Sequence, residues 1–401
     1  MPDADDQPDD QPSRLLLAVE ATPEALLPRL RDAWDGGPAV LPLDPRLPPR
    51  ARGALVAALK PGAVSKPGGL VSLPGATPVA DDVVAVVATS GSTGPPKGVE
   101  LTRHALAASV DGGLSRTGAD PEVPWVACLP VSHVGGLLVL LRAITTGTAP
   151  VDVDGFDADR IAALGHPVHL AVVPTMLRRL LAAGADPERW ATVLVGGARL
   201  PDDLRSAVPH LTTTYGMTET SGGCVYDGVP LPGVTVSEAD DGRLRIGGAT
   251  LMRGYRRLAG PSPTPPPPAG LDPDGAFTPA DLGTVDDDGR VTVLGRADDV
   301  IVTGGEKVVA SQVAARLEAH PAVAEAEVLG VPDPEWGQRA VAVVVPAEVG
   351  AILSLALLRS FVADEMPRYA APQDLVVVNA LPRLATGKVD RVALRRALSG
   401  R

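Results

Sequence analysis

The sequence predicts an α/β protein: a large N-terminal domain of α/β subdomains with a β-rich subdomain, then a small α+β C-terminal domain. Three observations carry this. Short apolar runs alternate with helical patterns from residue 81 to about 200, hairpin-like runs broken by "DDG" fill 229 to about 296, and mixed helix and strand patterns return after "GRADD" (295–299). At 401 residues the chain exceeds one core, so roughly two to three folding units are expected. Aromatic residues make up only 3% against 45% hydrophobic, so the cores must be built from Val, Leu, Ala and Ile.

In chain order, "MPDADDQPDDQP" holds five Asp in twelve residues, and residues 1–13 read as an acidic, disordered tail. "VVAVV" (83–87) reads as a buried strand and "HALAASVDGGL" (104–114) as a helix. "PWVACLPV" (124–131) is a strand, "GLLVLLRAI" (136–144) a buried helix, and "VHLAVV" (168–173) a strand. "TMLRRLLAA" (175–183) puts Leu177, Leu180 and Leu181 on one helical face, and "ATVLVGG" (191–197) is a strand again. Such alternation predicts parallel sheet with covering helices.

"GVTVSEADDGRLRIGG" (233–248) and "DLGTVDDDGRVTVLG" (281–295) read as β-hairpins, and the proline tract "GPSPTPPPPAG" (260–270) between them as a surface loop. Beyond them, "ASQVAARLEAH" (310–320) is an amphipathic helix with Val313 and Leu317 in phase. "AVAVVVPA" (340–347), "LALLRSFVADEM" (355–366) and "DLVVVNAL" (374–381) are strand, helix and strand. The expected division is a tail 1–13, an N-terminal domain 14–296, a hinge 297–299 and a C-terminal domain 300–401.

Charge and cysteine usage exclude several functions. A net charge of −12 argues against a nucleic-acid or anionic-membrane partner. The apolar stretch at 135–144 is too short to span a bilayer, and the tail lacks the basic and apolar regions of a secretory signal. Two cysteines, Cys128 and Cys224, form neither a disulfide framework nor a metal cluster. A cytoplasmic protein without membrane insertion is expected; a homodimer is compatible with the sequence. Only five of the 36 basic residues are lysines, and three of them (Lys97, Lys307 and Lys388) sit beside glycine-rich turns. A chain that otherwise prefers Arg keeps Lys where a compact charge must reach a phosphate or carboxylate.

"ATSGSTGPPKGV" (88–99) poses the functional question: a buried strand runs into a loop rich in amides and hydroxyls with one cation. Successive backbone N–H groups in such a turn form an anion nest, to which hydroxyls and Lys97 add. A Walker A loop is excluded, because Gly94 lies three positions before Lys97 and Gly98 follows it. "TTTYGMTETSGG" (212–223) again clusters hydroxyls and glycine, now around Glu219. That donor set suits Mg²⁺, which takes hard oxygen ligands and accompanies phosphates. A mobile linker and a Thr-rich strand end are the plain alternatives for these two stretches taken singly.

Together, "TSGSTGPPKGV", "TYGMTET", "DLG" with Asp281, "GRADDVIVTGGEKV" and "LPRLATGKVDR" resemble, in order and approximate spacing, the adenylate-forming superfamily of acyl-CoA synthetases, luciferases and peptide-synthetase adenylation domains. The resemblance covers about residues 80–395. Within it, the chain looks like the short actinobacterial o-succinylbenzoate–CoA ligases of menaquinone biosynthesis. It carries a compact region before the loop, together with "LPVSHVGGLLVLLRAI" and "TYGMTETSGGCVYDGVPLPGV". The resemblance implies the adenylate-forming fold with a mobile C-terminal domain. It also implies ATP, Mg²⁺, coenzyme A and an aromatic dicarboxylic acid as ligands.

By the same resemblance, Thr89, Ser90, Gly91, Ser92, Thr93, Gly94 and Lys97 cradle phosphates. Thr218 contacts the α-phosphate, Glu219 the metal, and Tyr215 and Gly216 flank adenine or the acyl group. Asp281 and Arg296 hold the ribose, and Lys388 is the catalytic lysine. His133, Gly196, Gly197, Ala198 and Tyr215 line the acyl site. Arg142, Arg178 or Arg179 could pair with a spare carboxylate, Arg178 being the one assigned to the acyl site; a surface role is the plain alternative for each. Gly304, Gly305 and Lys307 face coenzyme A, and Asp298 is the hinge position. Two departures stand out: Glu306 and Lys307 follow the glycines where the family has Asn or Arg, and Pro279 and Ala280 replace a glycine before Asp281. A CoA ligase for another aryl or fatty acid, an amino-acid adenylation enzyme loading a carrier protein, and a non-catalytic nucleotide-binding protein are the competing readings.

Overall fold

The computed structural model describes residues 14–89, 97–256, 270–348, 352–383 and 389–398. The chain divides into two compact units: Met1–Thr235 with Ile246–Phe277, and Val236–Arg245 with Thr278–Arg401. The acidic tail and most of the proline tract lie outside the described residues.

The first unit is built on two mixed sheets. One has seven strands in the order Gly254–Tyr255, Lys97–Thr102, Val83–Thr89, Ala39–Leu43, Leu16–Glu20, Ala63–Lys66, Gly69–Ser72. Leu16–Glu20 pairs in parallel with both neighbours, and Ala39–Leu43 in parallel with Val83–Thr89. Ala39–Leu43 and Val83–Val87 are buried throughout, as unbroken apolar strands under helices on both faces must be. Helix Pro23–Trp34 starts where Thr22 Oγ1 accepts the Ala25 N–H at 3.3 Å, and it buries Leu26, Leu30 and Ala33. Helix Val134–Thr146 is buried without a break from Gly136 to Ala143. The sheet is not wholly parallel: Lys97–Thr102 is an antiparallel strand, with Val99 and Leu101 inward, where the sequence reading passes from loop to helix.

The second sheet orders Val229–Pro230, Gly222–Tyr226, Thr212–Met217, Trp190–Gly196 and Val168–Val172. The last three are parallel, while Gly222–Tyr226 returns antiparallel. The strand expected at 124–131 shrinks to Val126–Ala127. Pro124 and Pro130 lack the N–H a ladder needs, and Trp125 makes a further isolated bridge, to His169.

In the second unit, a long antiparallel hairpin of Val323–Asp333 and Gly337–Pro346 is flanked by Val300–Thr303, Glu306–Val309 and Asp374–Val377. Helices Ala310–Glu318 and Leu355–Ala363 cover it, with Val313, Leu317, Leu358 and Val362 inward. The hairpin Asp281–Val285/Val291–Arg296 belongs to this unit, so the division falls near residue 278, where the sequence places it at 297–299. Side-chain hydrogen bonds tie the hairpin to other parts of this unit. Ser311 Oγ donates to the Leu294 carbonyl at 2.8 Å, and Glu238 Oε1 accepts the Val285 N–H at 2.6 Å. Strands from the β-rich stretch are thus shared out: Val229–Pro230 and Gly254–Tyr255 join the first unit's sheets.

Candidate active site

In the first unit the strands on either side of the glycine- and hydroxyl-rich stretch pair antiparallel. Thr89, at the end of one strand, stands directly opposite Lys97, at the start of the next. Ser90, Gly91, Ser92, Thr93 and Gly94 lie outside the described residues. The Lys97 ammonium sits over the Tyr255 ring, 4.8 Å from its centroid.

The other sheet contributes a second turn. Strand Thr212–Met217 ends in a single 3-10 turn, Thr218–Thr220, and returns as Gly222–Tyr226. Thr220 fixes this turn: its Oγ1 accepts the Met217 N–H at 2.9 Å and donates to the Gly222 carbonyl at 2.7 Å. Ser221 is left-handed (φ 52°), and its carbonyl accepts from Ser109 Oγ at 2.8 Å. Gly216 has to be glycine, since a Cβ there would lie 2.0 Å from the Gly222 carbonyl oxygen. Tyr215 is held beside it, opposite Val225.

This geometry fixes Glu219 by backbone and side chain. Its carbonyl accepts the Met252 N–H at 2.8 Å, and its Oε1 accepts the Tyr255 hydroxyl at 2.8 Å. Burial, with the Glu219 charge beside it, pushes the Tyr255 phenol above its ordinary pKa, so the phenol stays a donor. Lys97 and Glu219, far apart in sequence, therefore meet at one tyrosine. Among the described residues no group of three or more His, Cys, Asp or Glu could hold a metal. Glu219 with Thr218 suits a hard cation that keeps water and arrives on phosphate oxygens, not a cage of protein ligands.

The candidate acyl residues lie at strand and helix ends. Gly196 closes strand Trp190–Gly196 opposite Thr214, and Gly197 (φ 79°) and Ala198 follow as exposed backbone. Carboxyl ends of parallel strands are where ligands bind open α/β sheets. His133 is exposed at the N-terminus of helix Val134–Thr146.

The three arginines differ. Arg178 Nη1 is 2.8 Å from Asp203 Oδ2, both on the surface, and Arg179 lies over the Phe156 ring at 4.8 Å. Arg142 does not fit the surface-helix alternative. It is 2% exposed, lies 4.5 Å over the Trp125 ring and is hydrogen-bonded to Tyr226. Among the described residues its Nε has no partner, and burial holds its pKa below the ordinary value. Cys128 and Cys224 are buried free thiols.

The second unit carries the remaining candidates. Asp281 and Arg296 are cross-strand partners, with Nη1 3.3 Å from Oδ1, and Arg296 Nη2 lies 2.7 Å from Asp298 Oδ2. The expected ribose pair and the expected hinge residue thus form one ionic triad. Gly304 (φ 58°) and Gly305 (φ 87°) form the two-residue turn of a hairpin, a geometry that needs positive φ at both positions. Lys307 is exposed one residue beyond the turn's far end, opposite Val302. Lys388 lies outside the described residues. Arg391, just after it, pairs with Asp299 and Glu327.

Sequence reasoning passed over Tyr255 and Trp336. Tyr255 is one of four tyrosines, in "RGYR". Trp336 is half-exposed over Gly304, whose N–H bonds its carbonyl at 2.9 Å. A tryptophan in the polar, turn-like run "PDPEWGQ", in a chain this poor in aromatics, is the signal that was available.

A profile of AMP-binding enzymes matches residues 14–256, and one of the AMP-binding enzyme C-terminal domain matches 312–388. The chain belongs to the AMP-binding enzymes. This AMP-binding enzyme is 43% identical over 337 residues to a probable 2-succinylbenzoate–CoA ligase of Mycobacterium tuberculosis, covering 80% of this chain and 86% of that protein. It is 30% identical to a 2-succinylbenzoate–CoA ligase of Staphylococcus aureus, over 79% of this chain and 67% of that one. Its fold is similar to the solved o-succinylbenzoate–CoA synthetase of Bacillus subtilis in complex with the acyl-adenylate intermediate. There the TM-score is 0.76 at 22% identity, over 96% of this chain and 88% of that chain. The adenylate-forming fold and the ligase class expected from the five motifs are those of the AMP-binding enzymes.

Proposed function

We propose that this chain is an acid–thiol ligase that activates o-succinylbenzoate (2-succinylbenzoate) with ATP and passes the acyl group to coenzyme A. One carboxylate oxygen bonds to the α-phosphorus as the bond to pyrophosphate breaks, giving an acyl adenylate. The coenzyme A sulfur then bonds to the acyl carbon and AMP leaves. What carries this reading is the meeting of Lys97 and Glu219 at one site, in a chain 43% identical to a probable ligase of that name.

The loop 90–94 and Lys97 bind the β- and γ-phosphates through amides, hydroxyls and one charge. Thr218 donates to the α-phosphate, and Glu219 holds Mg²⁺, which neutralises phosphate charge when bound. Asp281 accepts from the ribose hydroxyls, steadied by Arg296. Lys388 places a charge on the carboxylate and α-phosphate, a contribution on the order of 3 kcal/mol to the transition state. Gly304, Gly305 and Lys307 receive coenzyme A, with Trp336 offering a stacking face, and Asp298 is the hinge.

His133, Gly196, Gly197, Ala198 and Tyr215 form the acyl site. For the spare carboxylate we favour Arg142 over Arg178. Arg178 is committed to Asp203, whereas the buried Arg142 pairs with no carboxylate among the described residues and has an open Nε. Two reduced, buried thiols and an acidic charge suit a cytoplasmic enzyme.

The test is pyrophosphate release from ATP·Mg²⁺ with o-succinylbenzoate, benzoate, a medium-chain fatty acid or mixed amino acids, with and without coenzyme A, alongside Lys388→Ala. Turnover to the thioester with o-succinylbenzoate alone, lost in the variant, is expected. Turnover with a different acid would keep the mechanism and overturn the substrate.

A further inference from the structure

We propose that Tyr255 is a positioning residue for the nucleotide's cation and phosphates: its hydroxyl aims the Glu219 carboxylate, and its ring seats Lys97. The proposal rests on the reading of Glu219 and Lys97 given above.

The short segment Met252–Arg256 touches both halves of the phosphate site through its backbone before any side chain is considered. Tyr255 pairs with Val99 in the strand that Lys97 begins, and the Arg256 N–H donates to the Gly98 carbonyl at 2.7 Å. At its other end the Met252 N–H donates to the Glu219 carbonyl at 2.8 Å. Arg256 anchors the segment, donating to the Leu59 carbonyl at 2.8 Å and pairing with Glu100 at 3.2 Å. Tyr255 thus stands on a clamped backbone between the two turns.

Its side chain then acts on both. The hydroxyl donates to Glu219 Oε1 at 2.8 Å and leaves Oε2 free of that contact. A carboxylate with one oxygen held keeps its plane fixed and presents the other oxygen in a defined direction. Groups that orient a metal-binding side chain in this way typically change cation affinity about 10–100-fold when removed. The ring face lies under the Lys97 ammonium, 4.8 Å from the centroid, which holds a flexible stem over the site and leaves N–H donors for phosphate oxygens.

The two contacts separate by substitution. Tyr255→Phe keeps the ring and removes the donor; Tyr255→Leu removes both. Mn²⁺ serves as probe, its free concentration read by electron paramagnetic resonance in the presence of a non-hydrolysable ATP analogue. Binding of the same analogue in EDTA is measured by calorimetry, and thermal melting checks the fold. Tyr255→Phe is expected to weaken Mn²⁺ binding about tenfold and to leave metal-free nucleotide binding unchanged. Tyr255→Leu is expected to weaken metal-free binding as well, by about two- to fivefold. Glu219→Gln is the reference: its Mn²⁺ affinity should fall at least as far.

Wild-type Mn²⁺ affinity in Tyr255→Phe, with a loss in Glu219→Gln, would overturn the role of Tyr255 alone. Equal losses with and without metal in Tyr255→Phe would make it a general loosening and overturn it too. Unchanged affinity in Glu219→Gln would bring down the reading of Glu219, and this proposal with it.

Discussion

Arg296 stands opposite Asp281 across an antiparallel hairpin, with one guanidinium nitrogen 3.3 Å from that carboxylate and the other 2.7 Å from Asp298. Arg296 is half-exposed while Asp281 is largely covered, so the pair contributes little to folding and much to where the Asp281 oxygens point. Arg296→Lys keeps the charge but loses the fork that spans both carboxylates. The KM for ATP is expected to rise about tenfold, with the melting temperature nearly unchanged. An unaltered KM would remove Arg296 from the nucleotide site.

Gly216 and Gly222 approach so closely that any side chain at residue 216 collides with backbone, which cannot swing aside. Gly216→Ala is expected to cost about 1–3 kcal/mol and to displace the Thr218–Glu219 turn, lowering nucleotide affinity along with stability. Denaturant unfolding and nucleotide titration check both. A Gly216→Ala protein with full stability and native affinity would show that the turn tolerates relaxation there.

How much of this was legible in the sequence depended on distance along the chain. The cross-strand pair Asp281–Arg296 is local: "DLGTVDDDGRVTVLGR" is a hairpin by its alternation and its "DDG", and folding it brings the ends together. At Gly304–Gly305 the sequence showed a glycine-rich turn beside Lys307, but not the hairpin that it closes. The antiparallel strand Lys97–Thr102 was not legible, because "KGVELT" is short and its first residue reads as the end of a loop. Nor was the role of Tyr255, whose partners Lys97 and Glu219 are both remote in sequence; no periodicity encodes such a contact. Nor was the place of the Asp281–Arg296 hairpin in the second unit: Ser311 bonds the Leu294 carbonyl there, and hydropathy carries no trace of that bond.

Glu100 gives a pH prediction. Burial raises its pKa above the ordinary value even though Arg256 lies 3.2 Å away and pulls the other way. A carboxyl whose folded pKa is raised binds its proton more tightly in the native state. Its stabilising contribution is complete below the unfolded value of about 4.5 and is lost as pH rises through the folded value. Glu100→Gln removes that titration. The melting temperature of the variant, relative to wild type, should therefore climb as pH is raised from about 4.5 towards neutrality. A flat or falling difference would mean that Arg256 dominates burial at this site.

Arg142 yields the sharpest separation of folding from function. The guanidinium is buried, lies against Trp125, bonds Tyr226 and pairs with no carboxylate among the described residues, so part of its desolvation is uncompensated in the free protein. A carboxylate arriving with the acid would supply the missing charge, and the open Nε the missing hydrogen bond. Arg142→Met fills similar volume without a charge and is expected to leave stability unchanged or raise it, as apolar replacements of buried ions often do. The same variant should raise the KM for the acid by about 10–100-fold while leaving the KM for ATP alone. Arg142→Lys should fall short of rescue, because a single ammonium cannot present two parallel donors. Arg178→Ala serves as the contrast: losing an exposed pair with Asp203 should change neither constant. If Arg178→Ala raised the KM for the acid and Arg142→Met did not, the spare carboxylate would belong beside the middle of helix Pro174–Ala182, and Asp203 would be the group it displaces.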